Sequence, residues 1–218
     1  MRHARVEAGV ADACRAAGRT RDEVTLIVVT KLHPSSLIRE LVDLGVHDVG
    51  ENRHQDAAPK AAELADLPLT WHFVGQLQSN KARAAAEYAR VIHSVDRKSL
   101  VDALARSERS LEVFLEVNLT TDPGRGGAPP ESLQFLAEHV LAHPSLSLRG
   151  VMAVAPIDED ARAAFARLRA LSERLQTTAP NATAVSAGMS GDYAEAIGEG
   201  ATHLRIGAAI TGKRPERP

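Results

Sequence analysis

Eight apolar, β-branched runs alternate along the chain with segments of helical spacing, and this alternation restricts the fold more than any other feature. The first run, VTLIVVT at 24–30, is apolar at most positions, as expected of a strand buried on both faces. SSLIRELVDLG at 35–45 then spaces Leu37, Leu41 and Leu44 on a helical period and stops at Gly45. Further strands are expected at 47–50, 70–75, 90–95, 111–118, 147–154, 183–188 and 202–207. Helical patterns fill the gaps at 53–66, 79–88, 97–108, 131–142, 159–177 and 191–199. Alternating βα units imply a parallel sheet covered by helices, and eight of them suggest a closed (β/α)8 TIM barrel. An open doubly wound sheet is the alternative. Only AAITGKRPERP follows the last strand, too little for an outer helix, so a helix expected over about 2–18 would cover that position. The expectation is α/β, one single-domain barrel over residues 1–218 with an extra N-terminal helix. The Gly- and Pro-rich stretch NLTTDPGRGGAPPES at 118–132 fits a surface loop within it.

Charge and composition remove several function classes. A formal net charge of -2 gives no sign of a nucleic-acid surface. No run approaches the ~18 to 20 apolar residues of a membrane span. Glu7, Asp12 and Arg15 interrupt the N-terminal stretch, which is therefore no secretory signal. The single cysteine, Cys14, allows no internal disulfide and sits on a helical pattern with Val6 and Val10, as a small buried residue would. A soluble cytoplasmic monomer is the expectation.

In a barrel, chemistry belongs at the C-terminal ends of the strands, and polar residues collect there. Lys31 closes the first strand. Desolvated at a barrel mouth, its amine could condense with an aldehyde, and a lysine snorkelling to water is the alternative. SAGMSGDYAEAI at 186–197 offers a glycine-rich turn into a helix, where Ser190, Gly191 and Asp192 would meet an anion or merely cap the helix. RIGAAITG at 205–212 resembles a second phosphate loop, with Gly207 permitting close backbone approach. These segments follow strands seven and eight, the usual phosphate position in such barrels. Arg205 would point into the mouth and hold a heterocycle nitrogen unprotonated, or pair with Glu116 or Glu51. His72 and His93 end strands and could line the pocket or sit satisfied in the core. His139 and His143 are spaced i, i+4, but HVLAH lacks the glutamate of HExxH and both lie at a helix end, so no metal site is expected.

Taken together, VVTK at 28–31, GEN at 50–52, WHFVGQLQSNK at 71–81, IHSVD at 92–96, GMSGD at 188–192 and RIGAAITG at 205–212 resemble the pyridoxal-phosphate homeostasis protein family (YggS/PROSC-like). The resemblance spans nearly the whole chain and implies a barrel like the N-terminal domain of alanine racemase, carrying pyridoxal 5'-phosphate (PLP) as a Schiff base. It makes Lys31 the attachment point, with Pro34 turning the chain away behind it. It assigns the phosphate to Ser190 and the backbone at Gly207 and Ala208, and sets Arg205 against the pyridine nitrogen. Asn52, His72 and Ser94 match pocket-lining positions, and Met152 would pack near the ring. Two positions depart from the family pattern. Ala208 stands where Thr or Ser is usual, which removes a hydroxyl donor to the phosphate, and Ala187 replaces a methionine, so looser PLP binding is expected. The family implies a regulator that holds PLP or delivers it to PLP-dependent apoenzymes. A racemase would need a second base opposite Lys31, such as Tyr88, Tyr193 or Lys81, and the second domain that supplies one in alanine racemase is missing here. Weak racemization, or a Schiff-base aldolase acting on phosphosugars, is the competing enzyme reading.

Overall fold

The computed structural model describes residues 2–122 and 124–212. Strands apolar on both faces bury both only if helices cover one side and the strands' own side chains fill the other. The eight strands do this by closing into a barrel: β1 (Thr25–Val29), β2 (Asp48–Glu51), β3 (Thr70–Phe73), β4 (Val91–Val95), β5 (Leu111–Glu116), β6 (Leu146–Met152), β7 (Ala184–Ser186) and β8 (His203–Ile206). Each pairs in parallel with the next, and β8 returns to β1 in the register Thr25–His203 through Val28–Ile206, which excludes the open sheet. On β1, Leu26 and Val28 join the core beneath the helices. Ile27 and Val29 face inward, where a Cβ on Gly50 would lie 3.1 and 3.3 Å from their methyl carbons.

The outer layer is α1 (Arg2–Ala16), α2 (Ser35–Asp43), α3 (His54–Glu63), α4 (Ala82–Ala86), α5 (Lys98–Leu104), α6 (Leu133–Leu141), α7 (Ala161–Leu175), α8 (Tyr193–Gly198) and the single turn α9 (Ala208–Thr211). The N-terminal helix buries Val6, Val10 and Cys14 against α8 and α9, in the place expected for it. The helix expected over 79–88 is a 3-10 turn, Ser79–Lys81, followed by the short α4, whose buried face is alanine alone. Among the described residues no helix is long and apolar enough to cross a membrane.

One buried ion pair ties the barrel wall to its cover. Glu51, at the end of β2, is fully buried and points outward. Its Oε1 accepts from Lys60 Nζ of α3 at 2.6 Å and from the Thr30 hydroxyl at 2.8 Å, while the same amine donates to the Thr30 carbonyl at 3.1 Å. This cluster lies one residue before both Lys31 and Asn52, so it fixes the ends of β1 and β2. Lys60→Met leaves the carboxylate buried without its counter-ion, and chemical denaturation is expected to register a loss of about 3 to 5 kcal/mol. Adding Glu51→Gln to that variant is expected to recover most of it.

Candidate functional site

At the C-terminal end of the barrel a cavity of about 490 Å³ is lined by Lys31, Asn52, Ser190, Arg205, Gly207 and Ala208, with Val29, Val74 and Val154 as apolar walls. The sequence separates these residues by up to 177 positions, and the closure of β8 on β1 brings them together. Beyond β1 the chain turns at Leu32, which takes a left-handed φ of +67° that a branched side chain rarely adopts. The His33 N–H donates to the Thr30 carbonyl across this turn at 3.1 Å. The reversal behind the lysine is thus made at Leu32, and Pro34 only precedes α2. Gly75 lets its loop close on Asn52: a Cβ there would lie 2.3 Å from the Asn52 carbonyl oxygen.

The loops after β7 and β8 form the opposite rim. Gly188 adopts φ +92° and packs so tightly that a Cβ would sit 2.7 Å from that of Ala196. The Met189 N–H donates to Asp192 Oδ1 at 2.6 Å and shapes the turn. Ser190 Oγ then reaches across to accept from the Ala209 N–H at 3.4 Å. The close approach expected at Gly207 is not demanded by the protein's own atoms, since a Cβ would meet Val29 O at an ordinary 3.4 Å. Ala187, fully buried, belongs to the core beneath the helices.

Three expected pocket residues are not brought to the mouth. His72 points into the barrel and lines a separate polar cavity of about 460 Å³ with Thr25, Asp48, Thr70 and His203, at the N-terminal ends of the strands. Met152 clusters with Val91, Phe114 and Ala184 inside the barrel, and Val154, two residues on, takes its place in the cavity wall. Ser94 lies in the irregular register between Ile92 and Val95, its hydroxyl buried and without a hydrogen-bond partner. His93 is fully buried in the interior, stacked on Phe114 with ring centroids 4.6 Å apart. Of the bases a racemase would need, Tyr88 lines the lower cavity and Tyr193 lies against Gly9 of α1, while Lys31 is the amine among the described lining residues. The two histidines of α6 and its end gather Asp102: His139 Nε2 is 2.6 Å from Oδ1, and Lys98 Nζ holds Oδ2 at 2.8 Å.

Arg205 makes neither of the ion pairs considered from sequence. It donates to Ser186 Oγ at 2.6 Å and to the Ala153 carbonyl at 2.8 Å. Burial lowers its pKa to about 10, opposed by the negative charges of Glu116 and Asp192, so it stays a cation at neutral pH. Glu116 carries no motif, and the sequence offers it only as a partner for Arg205. Burial raises its pKa to about 7, Asp96 adds to the shift, Arg205 opposes it, and its Oε2 has no hydrogen-bond partner. The cavity therefore sets a primary amine, a donor-only cation and a hydroxyl- and backbone-lined rim around one space. Those groups complement a ligand with a carbonyl carbon, a ring nitrogen and an anionic group.

A family model described as "Alanine racemase, N-terminal domain" matches residues 11–215. The pyridoxal phosphate homeostasis protein of Pseudomonas aeruginosa is 45% identical over 218 residues, covering 97% of this chain and 94% of that protein. Its counterpart in Aquifex aeolicus is 38% identical over 98% of this chain and 97% of its own length. The solved structure of PipY from Synechococcus elongatus with PLP bound is 38% identical, with a TM-score of 0.81 over 93% of this chain and 100% of that one. Alanine racemase from Corynebacterium glutamicum shares the fold, with a TM-score of 0.73 over 96% of this chain and 60% of that one, at 14% identity.

The raised pKa of Glu116 makes the stability of the fold depend on pH. The native state holds this proton up to about pH 7, whereas an unfolded glutamate loses it near its ordinary value. Stability is therefore lost as pH rises through that window, by an amount on the order of 2 kcal/mol. Without added ligand, Glu116→Gln is expected to raise the melting temperature at pH 8 and to leave it near the parent's at pH 4.5, as thermal unfolding will show.

Proposed function

We infer that this chain, which belongs to the pyridoxal phosphate homeostasis protein family and carries the alanine racemase N-terminal domain, binds PLP at the mouth of its barrel and serves PLP homeostasis as a holder of the cofactor. The observation that carries this reading is the single cavity that brings Lys31, Arg205 and Ser190 together, in a chain 38% identical to a relative solved with PLP bound. The residues present fit the group. PLP supplies an aldehyde that amines capture reversibly. Lys31 would supply the amine that holds that carbon. The Ser190 hydroxyl and the backbone N–H groups at Gly207 and Ala208 hold the phosphate, Ala208 lacking a hydroxyl to add. Asn52 borders the ring, and His72, Ser94 and Met152 lie outside the lining of the mouth.

Arg205 decides between holder and enzyme. A guanidinium offers donors only, so opposite the pyridine nitrogen it leaves that nitrogen unprotonated. An unprotonated ring is a weak electron sink, which supports a holder over a racemase. A reversible Schiff base also lets the cofactor pass on to PLP-dependent apoenzymes. The chain acts in this reading as a monomer in the cytoplasm.

Absorption spectra with added PLP test the assignment. The parent is expected to show a visible band that borohydride abolishes by fixing the cofactor, and Lys31→Ala is expected to lack it. Ser190→Ala should keep the band and bind PLP about tenfold more weakly. A parent that stays colourless in excess PLP would reject the cofactor and leave a phosphosugar aldolase as the reading of the same lysine.

A further inference from the structure

Five polar side chains cross the barrel interior in single file. Asp48 Oδ1 lies 2.9 Å from His72 Nε2, His72 Nδ1 lies 2.9 Å from His93 Nε2, and His93 Nδ1 lies 2.9 Å from Ser186 Oγ, which Arg205 meets at 2.6 Å. They come from β2, β3, β4, β7 and β8. His72, His93, Ser186 and Arg205 are buried, and Asp48 opens on the lower polar cavity, at the opposite end of the barrel from Lys31.

One order of donors satisfies every bond. Arginine can only donate, so Ser186 Oγ accepts from it, and the hydroxyl's own proton is satisfied when it goes to His93 Nδ1. His93 then carries its proton on Nε2 and donates to His72 Nδ1. His72 in turn donates from Nε2 to the Asp48 carboxylate. In this order every facing pair has one donor and one acceptor. With the other neutral form of His72, a bare Nε2 would face the bare Asp48 oxygen. With a doubly protonated His72, the chain reverses at His93 and the Ser186 proton is left without an acceptor, in an interior where an unmet polar group is costly.

We propose that Asp48, His72, His93 and Ser186 are positioning residues for Arg205, a one-way hydrogen-bonded relay that aims the guanidinium at the mouth and couples it to the carboxylate at the far end of the barrel. Its consequence for the cofactor rests on the PLP reading above. The proton order itself is a property of the chain alone. Hydrogen bonds in such a row polarise one another, so the charge on Asp48 strengthens the hold on Arg205 through three intermediaries.

Nitrogen-15 spectra of histidine-labelled protein test the order without cofactor. His72 and His93 are both expected as the neutral form protonated at Nε2. Ser186→Ala is expected to shift the nitrogen resonances of His72, which it does not touch. Should Ser186→Ala fail to fold, Asp48→Ala, a change at the half-exposed end, is expected to shift those of His93. A proton on Nδ1 of His93, or histidine resonances that ignore these substitutions, would overturn the relay. In PLP-loaded protein, Asp48→Ala is expected to speed PLP dissociation by roughly threefold and move the absorption maximum. An unchanged rate and spectrum would overturn the coupling to Arg205. A parent that takes up no PLP would instead reject the cofactor reading, and the histidine spectra would still decide the relay.

Discussion

The pairing of β8 with β1 is the contact on which the rest of the molecule depends. It turns eight separate βα units into a closed wall, and it sets Ile206 beside Val28. Just beyond the ends of both strands, Lys31 and Gly207 face the same space, with Arg205 beneath them. Neither the amine nor the guanidinium has a site without that closure. The fold completes the ring economically: among the described residues the one-turn α9 is the helix that follows β8, and α1, from the other end of the chain, covers the gap with Val6, Val10 and Cys14.

A barrel whose interior is this polar asks more of its hydrogen bonds than an apolar one. His93, Ser186 and Arg205 lie buried at its centre, with burial, His72, Arg205 and His203 together pushing the His93 pKa well below its usual value. Such a row is stable only when buried donors meet acceptors, and here Arg205 meets the Ser186 hydroxyl and the Ala153 carbonyl. The outer face uses a different device. Glu51, Lys60 and Thr30 form a compact charged cluster that anchors α3 to the strand ends from outside. The mouth is thus clamped from both sides of the wall, and among the described residues Leu32, the residue after the lysine, is the non-glycine that takes a left-handed φ.

Much of this was legible in the sequence. Turn chemistry and β-branched runs located all eight strands to within a few residues, and Lys31, Asn52, Ser190, Arg205, Gly207 and Ala208 do line one cavity. What could not be read was depth. Strands buried on both faces show no alternation, so the pattern does not say which layer a residue occupies. His72 and Met152 point inward as expected but lie one layer too low. Two residues of strand, about 7 Å, separate each from Val74 and Val154 at the mouth. Ser94 was obscured by a register irregularity that no local signal announces. Ser186 matters through His93 and Arg205, partners distant in sequence, and no spacing rule could have joined them, whereas Glu116 was considered beside Arg205 and acts on it through charge without an ion pair.

The central claim is that one particular amine holds the cofactor at the barrel mouth. Borohydride reduction of PLP-loaded protein, followed by proteolysis and mass spectrometry of the peptides, locates the modified lysine directly. Stoichiometric label is expected on the peptide containing Lys31, with Lys60, Lys81 and Lys98 unmodified. Label on another lysine, or scattered over several, would contradict it.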